Sequence, residues 1–278
     1  MIENSKISHS AVIIFTDLDG TLLDSENYAF EQALPALKLI HSLKIPLVIV
    51  SSKTRSEIES IRMKMMSLDH PFITENGGGI FFPKIFPLPQ GYSNKAIDDY
   101  NAIYIGDTVK SVIEKARPLK ERFNFRGFSE MSIEEIIALT GLGKEEAVHA
   151  SIREFDEPVA LDNAARSANR FCRDAIKLGL DCVHGGRFIH LFRGGNKGKA
   201  VKVVIDMYRG LKSDLFSIAL GDSPNDLPML GVVDKAVLMK GKDGTYMKGL
   251  IHPNIIKAQG GGPEAWNDVV LSILREFS

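Results

Sequence analysis

Residues 11–21 read Ala-Val-Ile-Ile-Phe-Thr-Asp-Leu-Asp-Gly-Thr. The apolar run Ala11–Phe15 leads straight into two carboxylates and a glycine. A short, continuous apolar run bounded by turn chemistry is the pattern of a strand buried on both faces, as in a parallel sheet. Its C-terminal end delivers Asp17 and Asp19, and open parallel sheets bind ligands just beyond the carboxyl ends of their strands. This stretch therefore sets both the expected fold and the expected site. Two further runs behave alike: Ile45–Val50 ends at Ser51-Ser52-Lys53, and Phe216–Leu220 ends at Gly221-Asp222-Ser223-Pro224-Asn225-Asp226.

The intervening segments carry helical spacing. Glu31–Leu43 has an apolar face and tolerates Pro35 in its first turn. Thr54 with Glu57 three residues on is a capping box that opens a helix to about Leu68. Phe72–Thr74 reads as a third strand, and Gly77-Gly78-Gly79 as a turn before a strand at Ile80–Phe82. Alternating strands and helices predict a Rossmann-like, doubly wound α/β fold with a parallel sheet.

After Pro83 the style changes. Pro83, Pro87, Pro89 and Gly91 form a linker. Strands near 102–105, 159–161, 180–184 and 188–192 then mix with helices near 109–123, 132–139, 144–155 and 163–178. From Gly194 the first style returns, with a helix near 199–208, a strand at 236–239 and a last helix near 263–277. The expected organisation is a core formed by residues 1–83 and 194–278, interrupted by an α/β cap at 84–193.

Composition narrows the function. A chain of 278 residues divides into two domains at roughly 150 residues each. Lys plus Arg is 34 against 35 for Asp plus Glu, a net charge of −1, so no basic excess points to nucleic acid or a membrane surface. The apolar runs fall far short of the ~20 residues a membrane span needs. No apolar leader precedes the first strand, and the expected location is the cytoplasm. Cys172 and Cys182 are the only cysteines, which fits a reducing compartment with no disulfide.

The acids carry the chemistry. Asp-Gly and Gly-Asp turns are common loop chemistry, but here two acid pairs, Asp17/Asp19 and Asp222/Asp226, end two buried strands in order. Four carboxylates at one sheet edge repel unless a cation sits among them, and hard oxygen ligands favour Mg²⁺. Asp17 and Asp19, two residues apart, point the same way from an extended strand. One can attack phosphorus while the other serves the leaving oxygen. Transferring phosphoryl oxygens also need positive charge and N–H donors. Ser51-Ser52-Lys53, just before a capped helix, gathers hydroxyls and free N–H groups, and Lys197 approaches through the glycine-rich stretch 194–199.

Asp17-Leu18-Asp19-Gly20-Thr21, Ser51, Lys197 and Gly221-Asp222-x-x-Asn225-Asp226, in that order, resemble the four motifs of the haloacid dehalogenase superfamily. The resemblance implies a phosphoaspartate mechanism with Mg²⁺. Asp17 is then the nucleophile, Asp19 the acid/base and a metal ligand through its main-chain carbonyl, and Asp222 a metal ligand. Ser51 and Lys197 hold the phosphate, with Asn225 and Asp226 in support. The insert sits between the second and third motifs, where superfamily members with the large α/β (type IIB) cap carry it. Further stretches, Ser51–Arg55, Glu75–Gly79, Arg153–Glu157, His184–Phe188 and Gly261–Glu264, resemble the mannosyl-3-phosphoglycerate phosphatase branch nearly end to end. Asn196 and Ser51 depart from it, standing where Asp and Thr are frequent.

That likeness implies a substrate carrying a phosphate, a carboxylate and a neutral sugar. Arg153 and Arg187 are forks suited to the carboxylate or phosphate, and Glu154, Asp156, Glu157 and His184 suit sugar hydroxyls. Gly20, Ser52, Lys53, Asn76 and Gly77 complete the expected substrate-binding set. The glucosyl analogue, another sugar phosphate such as a sucrose phosphate, a phosphomutase reaction and a non-catalytic domain remain alternatives. Trp266 reads as packing.

Overall fold

The computed structural model describes residues 12–65, 69–88, 91–184, 188–211 and 213–277. In the first core segment lie β1 (Val12–Thr16), α1 (Leu34–Ser42), β2 (Leu47–Ile49), α2 (Arg55–Lys64), β3 (Phe72–Thr74) and β4 (Gly79–Pro83). A hairpin follows, β5 (Lys95–Ile97) and β6 (Tyr100–Tyr104). Next come α3 (Val109–Ala116), β7 (Phe125–Gly127), α4 (Ile133–Thr140), α5 (Lys144–Ser151), β8 (Glu157–Leu161), α6 (Ala164–Lys177), β9 (Asp181–His184) and β10 (Ile189–Phe192). The chain returns through α7 (Lys197–Leu211), β11 (Phe216–Gly221), α8 (Leu227–Leu230), β12 (Lys235–Leu238), β13 (Ile255–Lys257) and α9 (Gly262–Glu276).

Among the described residues one sheet is wholly parallel, in the order β13-β12-β11-β1-β2. The fold is thus the expected doubly wound α/β core. Alternation along β1 shows how both faces are buried. Val12 and Ile14 pack with Ile40, Trp266 and Val270 of α1 and α9. Ile13 and Phe15 pack with Val201, Val204 and Met229 of α7 and α8. Thr54 caps α2 with Glu57 in the expected reciprocal box. That helix ends at Lys64, and residues 66–68 lie outside the described residues.

Two features differ from the sequence reading. β3 is not a full member of the parallel sheet: it touches that sheet through a single bridge, Val50 to Ile73. It belongs instead to an antiparallel sheet, β3-β4-β6-β5. The turn responsible is Glu75-Asn76-Gly77, with φ of 46°, 58° and 91°, a left-handed run that reverses the chain at once. The strand expected near 102–105 therefore pairs with β4 and with β5, apart from the later strands of segment 84–193. The remaining strands of that segment form their own antiparallel sheet, β7-β8-β10-β9, with Phe171, Ala175 and Val112 of α6 and α3 on one face.

The cysteine expectation is corrected. Cys172 on α6 and Cys182 on β9 form a disulfide, with Cα atoms 5.4 Å apart. Ten residues of helix and turn carry the chain back on itself and bring the two side chains together, a proximity that spacing alone does not reveal. Among the described residues no helix is long and apolar enough to cross a membrane.

Candidate active site

Three strand ends and one helix start meet at the carboxyl edge of the parallel sheet. The Asp17 backbone N–H donates to the Leu220 carbonyl (3.0 Å), and the Val50 N–H to the Thr16 carbonyl (2.8 Å), so β11 and β2 fix Asp17 from both sides. Thr16 donates its hydroxyl to the Asp17 carbonyl (2.8 Å), and the buried Trp266 indole N–H donates to that hydroxyl (3.0 Å). Trp266 thus does more than pack. Lys197 opens α7, capped by Asn196, whose side chain accepts the Lys199 N–H (2.8 Å).

The Lys197 ammonium, 1% exposed, lies 2.6 Å from Asp17 Oδ1 and 2.6 Å from Asp226 Oδ1. Burial opposes its charge, but the two carboxylates hold it well above the ordinary lysine range. Asp226 is fully engaged: its Oδ2 accepts the N–H groups of Asp222 (3.1 Å) and Ser223 (3.0 Å). Asp222 lies against Gly20, where a Cβ would meet its Oδ2 at 2.8 Å. Gly20 also takes φ +79°, so glycine meets both demands of the turn.

One ammonium does not balance this group. Burial and then the Asp226 charge push the Asp17 carboxyl well above its usual range, against the pull of Lys197. Burial and Asp226 likewise push Asp222 up to about 7. Ligand oxygens of Asp17, Asp222 and Asp226 all lie within 4.8 Å of one another. Excess negative charge on closely set hard oxygens is the condition a divalent cation relieves, so the residues present fit a metal.

The other expected residues fall into two groups. Ser51 is buried beside the site, its hydroxyl oxygen accepting the Lys53 N–H (3.2 Å). Lys53 is paired with Asp19 Oδ1 at 3.0 Å. Ser52 contributes its carbonyl to Arg153 (3.1 Å). Gly77 works as a packing glycine: a Cβ there would sit 2.3 Å from the Asn196 carbonyl, blocking the approach of α7. Arg187 lies outside the described residues.

The second group corrects the expected cap contacts. Arg153 is no free fork. Its side chain is 6% exposed, ion-paired with Asp156 and with Glu75 (3.6 Å). Asp156 is fully buried and accepts from Arg153, Asn76 and His190. Glu154 faces Arg55 at 3.5 Å. These charges satisfy one another across the core–cap junction instead of facing solvent. His184 also changes side. In the β9–β10 register it stands opposite Ile189, and Cys182 opposite Leu191, which places both on the face covered by α3 and α6. His190, opposite Val183, occupies the other face, with Nδ1 2.9 Å from Asp156.

Sequence reasoning missed Glu75 and His190. Glu75 accepts the consecutive N–H groups of Glu154, Phe155 and Asp156 at 2.8–3.2 Å. An acid beside a left-handed Asn-Gly turn was the available signal, but its partners lie about eighty residues on.

This arrangement is that of a known class. The model of the haloacid dehalogenase-like hydrolases matches residues 14–135 and 183–245, and the chain belongs to that family. Two relatives extend the match along the whole chain. A glucosyl-3-phosphoglycerate/mannosyl-3-phosphoglycerate phosphatase of Methanococcoides burtonii is 37% identical, covering 94% of this chain and 97% of that protein. A protein of the same description from Persephonella marina is 37% identical over 96% of this chain and 98% of its own length. Among solved structures, a phosphatase of the haloalkanoate superfamily from Bacteroides thetaiotaomicron shares the fold at a TM-score of 0.64. It has 18% identity and covers 97% of this chain and 96% of that one.

Proposed function

We propose that this chain is a Mg²⁺-dependent phosphatase that releases phosphate from mannosyl-3-phosphoglycerate, or its glucosyl analogue, through a phosphoaspartate at Asp17. The observation that carries the reading is the buried Lys197 ammonium bridging Asp17 and Asp226 at 2.6 Å each, beside Asp222. A structural ion pair has no use for a third, unneutralised acid. A phosphoryl site needs one to hold a cation, and it needs an ammonium for the phosphoryl oxygens. The substrate is suggested by the relatives, matched over almost their full length.

Asp17, Asp222 and the Asp19 main-chain carbonyl would hold the Mg²⁺, which neutralises charge on the phosphoryl group when bound. Asp226, with both oxygens occupied, holds Lys197 in place. Lys197 anchors Asp17 Oδ1, so the other carboxylate oxygen attacks phosphorus. The ester P–O bond breaks, and Asp19 gives its proton to the departing alkoxide. Water then attacks the phosphorus, passing a proton to Asp19, and the bond to Asp17 breaks. Ser51 and Lys197 hold the phosphoryl oxygens throughout. Segment 84–193 acts as the cap over the leaving group, with the β5–β6 hairpin carried on the core side. Of the cap residues, Arg187 is the fork left to grip the glycerate carboxylate.

Phosphate release from a panel of esters with Mg²⁺ tests this. The two glycosyl-3-phosphoglycerates should be hydrolysed with the highest kcat/KM, ahead of sucrose phosphate and p-nitrophenyl phosphate. Isomerised sugar phosphate with little free phosphate would identify a mutase instead. No turnover of any ester would remove the catalytic reading.

A further inference from the structure

A directed chain of hydrogen bonds links the cap to the loop bearing Asp222. The Ser223 hydroxyl donates to Asn225 Oδ1. The Asn225 amide donates to Asn76 Oδ1 (2.9 Å), and the Asn76 amide donates to Asp156 Oδ2 (3.2 Å). A carboxylate has no proton to give. Asn76 must therefore turn its NH₂ group to Asp156 and its carbonyl to Asn225, which must in turn present its own NH₂. Each orientation follows from the one before, and the chain ends on the ionised acid.

Asp156 is suited to that end. It immediately precedes β8, fully buried, with Arg153 on Oδ1 and His190 beside Oδ2. Burial opposes its ionisation, but Arg153 and His190 together hold the carboxyl below its ordinary range. The turn it reaches is built to receive it. Glu75 and Asn76 both hold left-handed backbone, costly outside glycine, and Glu75 is clamped by the N–H groups of residues 154–156. Phe155 closes the junction: a Cβ on Gly78 would lie 2.3 Å from it.

We propose that Asp156 and Asn76 are positioning residues for the phosphoryl site, orienting Asn225 and its loop so that docking of the cap segment 153–156 sets the geometry of the loop that carries Asp222. This rests on the phosphatase reading above. It adds that a cap acid acts through the core instead of on the sugar.

The test uses Asn76→Gly, which keeps the left-handed turn and removes only the Asn76 donor from Asp156, whose bonds to Arg153 and His190 remain, together with Asp156→Asn. On p-nitrophenyl phosphate, which lacks sugar and carboxylate, each should lower kcat at least fivefold with KM changed less than threefold. The Mg²⁺ concentration for half-maximal rate should rise. The double variant should be no worse than the poorer single one, because both break one chain. In the metal-free protein, the Asn225 side-chain amide protons should lose their protection from solvent exchange in both variants. If Asp156→Asn does not fold, Asn76→Gly with Asn225→Ala completes the same cycle. A loss below fivefold from Asn76→Gly, losses that multiply, or an unchanged Asn225 amide would overturn the proposal. Wild-type protein that hydrolyses no ester would instead remove the phosphatase reading, leaving the amide measurement to decide the hydrogen-bond chain alone.

Discussion

Two buried clusters have the same plan, one cation held between two carboxylates, yet their surroundings differ. Around Lys197, the acids Asp17 and Asp226 are joined by a third, Asp222, and among the described residues no second cation pairs with the three. Around Arg153, the acids Glu75 and Asp156 are supplied with donors to excess: three backbone N–H groups for one, Asn76 and His190 for the other. A cluster left with surplus charge can take up a metal and a phosphate. A cluster whose acids are saturated with donors resists rearrangement, even though burial pushes the Glu75 carboxyl up to about 7, and its value lies in fixing two segments against each other. Donor saturation, more than charge content, separates the site from its support.

The contrast is sharpest at Asp17. Asp17→Asn is nearly isosteric but cannot serve as the nucleophile, and kcat should fall by roughly three orders of magnitude or more with the thermal midpoint within a few degrees of wild type. Steady-state hydrolysis of p-nitrophenyl phosphate measures the first and calorimetry the second. Retention of more than a few per cent of activity would rule out the covalent route.

Next in size is the metal. EDTA should abolish turnover and Mg²⁺ restore it, while Ca²⁺, with a larger and looser shell, should bind and inhibit. Asp222→Ala should raise the Mg²⁺ requirement sharply, because it removes a ligand from a cluster whose remaining acids are already tied to Lys197. Full activity in chelator would place the surplus charge outside the chemistry.

Arg153 and Arg187 should then behave differently. Arg153→Ala leaves Glu75 and Asp156 buried without their cation, a loss typically worth about 3–5 kcal/mol in a buried pair. It should lower stability and depress all esters alike. Arg187→Ala should cut kcat/KM for mannosyl-3-phosphoglycerate at least tenfold and spare p-nitrophenyl phosphate, since a charge-assisted hydrogen bond to the carboxylate is worth roughly 1.5–3 kcal/mol. Arg153→Ala sparing p-nitrophenyl phosphate would return Arg153 to the substrate.

What was legible follows from where each partner lies in the chain. β1 and β11 announce themselves as continuous apolar runs, and their terminal acids need no knowledge of the rest of the molecule. β5 and β13 are three-residue strands with exposed positions and carry no such pattern. The apolar run of β3 reads like the strands of the parallel sheet; the reversal lies in the backbone of Glu75 and Asn76, which composition does not display. Arg153, Glu154 and Asp156 looked like a charged, substrate-facing end because the group that internalises them, Glu75, is far away in sequence. His184 and His190 could not be assigned to faces without the β9–β10 register, since a one-residue slip exchanges them.

The smallest effect on catalysis belongs to the disulfide, and it separates the two faces of the cap sheet. Cys182 stands opposite Leu191, on the face that α6 covers, whereas His190 looks to the junction with Asp156. Replacing both cysteines by serine opens a loop of about ten residues, for which chain entropy gives roughly 2–3 kcal/mol of lost stability. The variant should melt several degrees lower, and reductant should lower the wild-type midpoint by a similar amount. Its kcat/KM on either ester should stay within twofold, because Cys182 and His190 alternate on β9 and β10 to opposite faces of the sheet. Two titratable thiols in the native, unreduced protein would restore the free cysteines expected from sequence. A large loss of activity with the fold intact would show that the helix-covered face reaches the phosphoryl site, and a third element would then have to connect the donor-saturated support to the site.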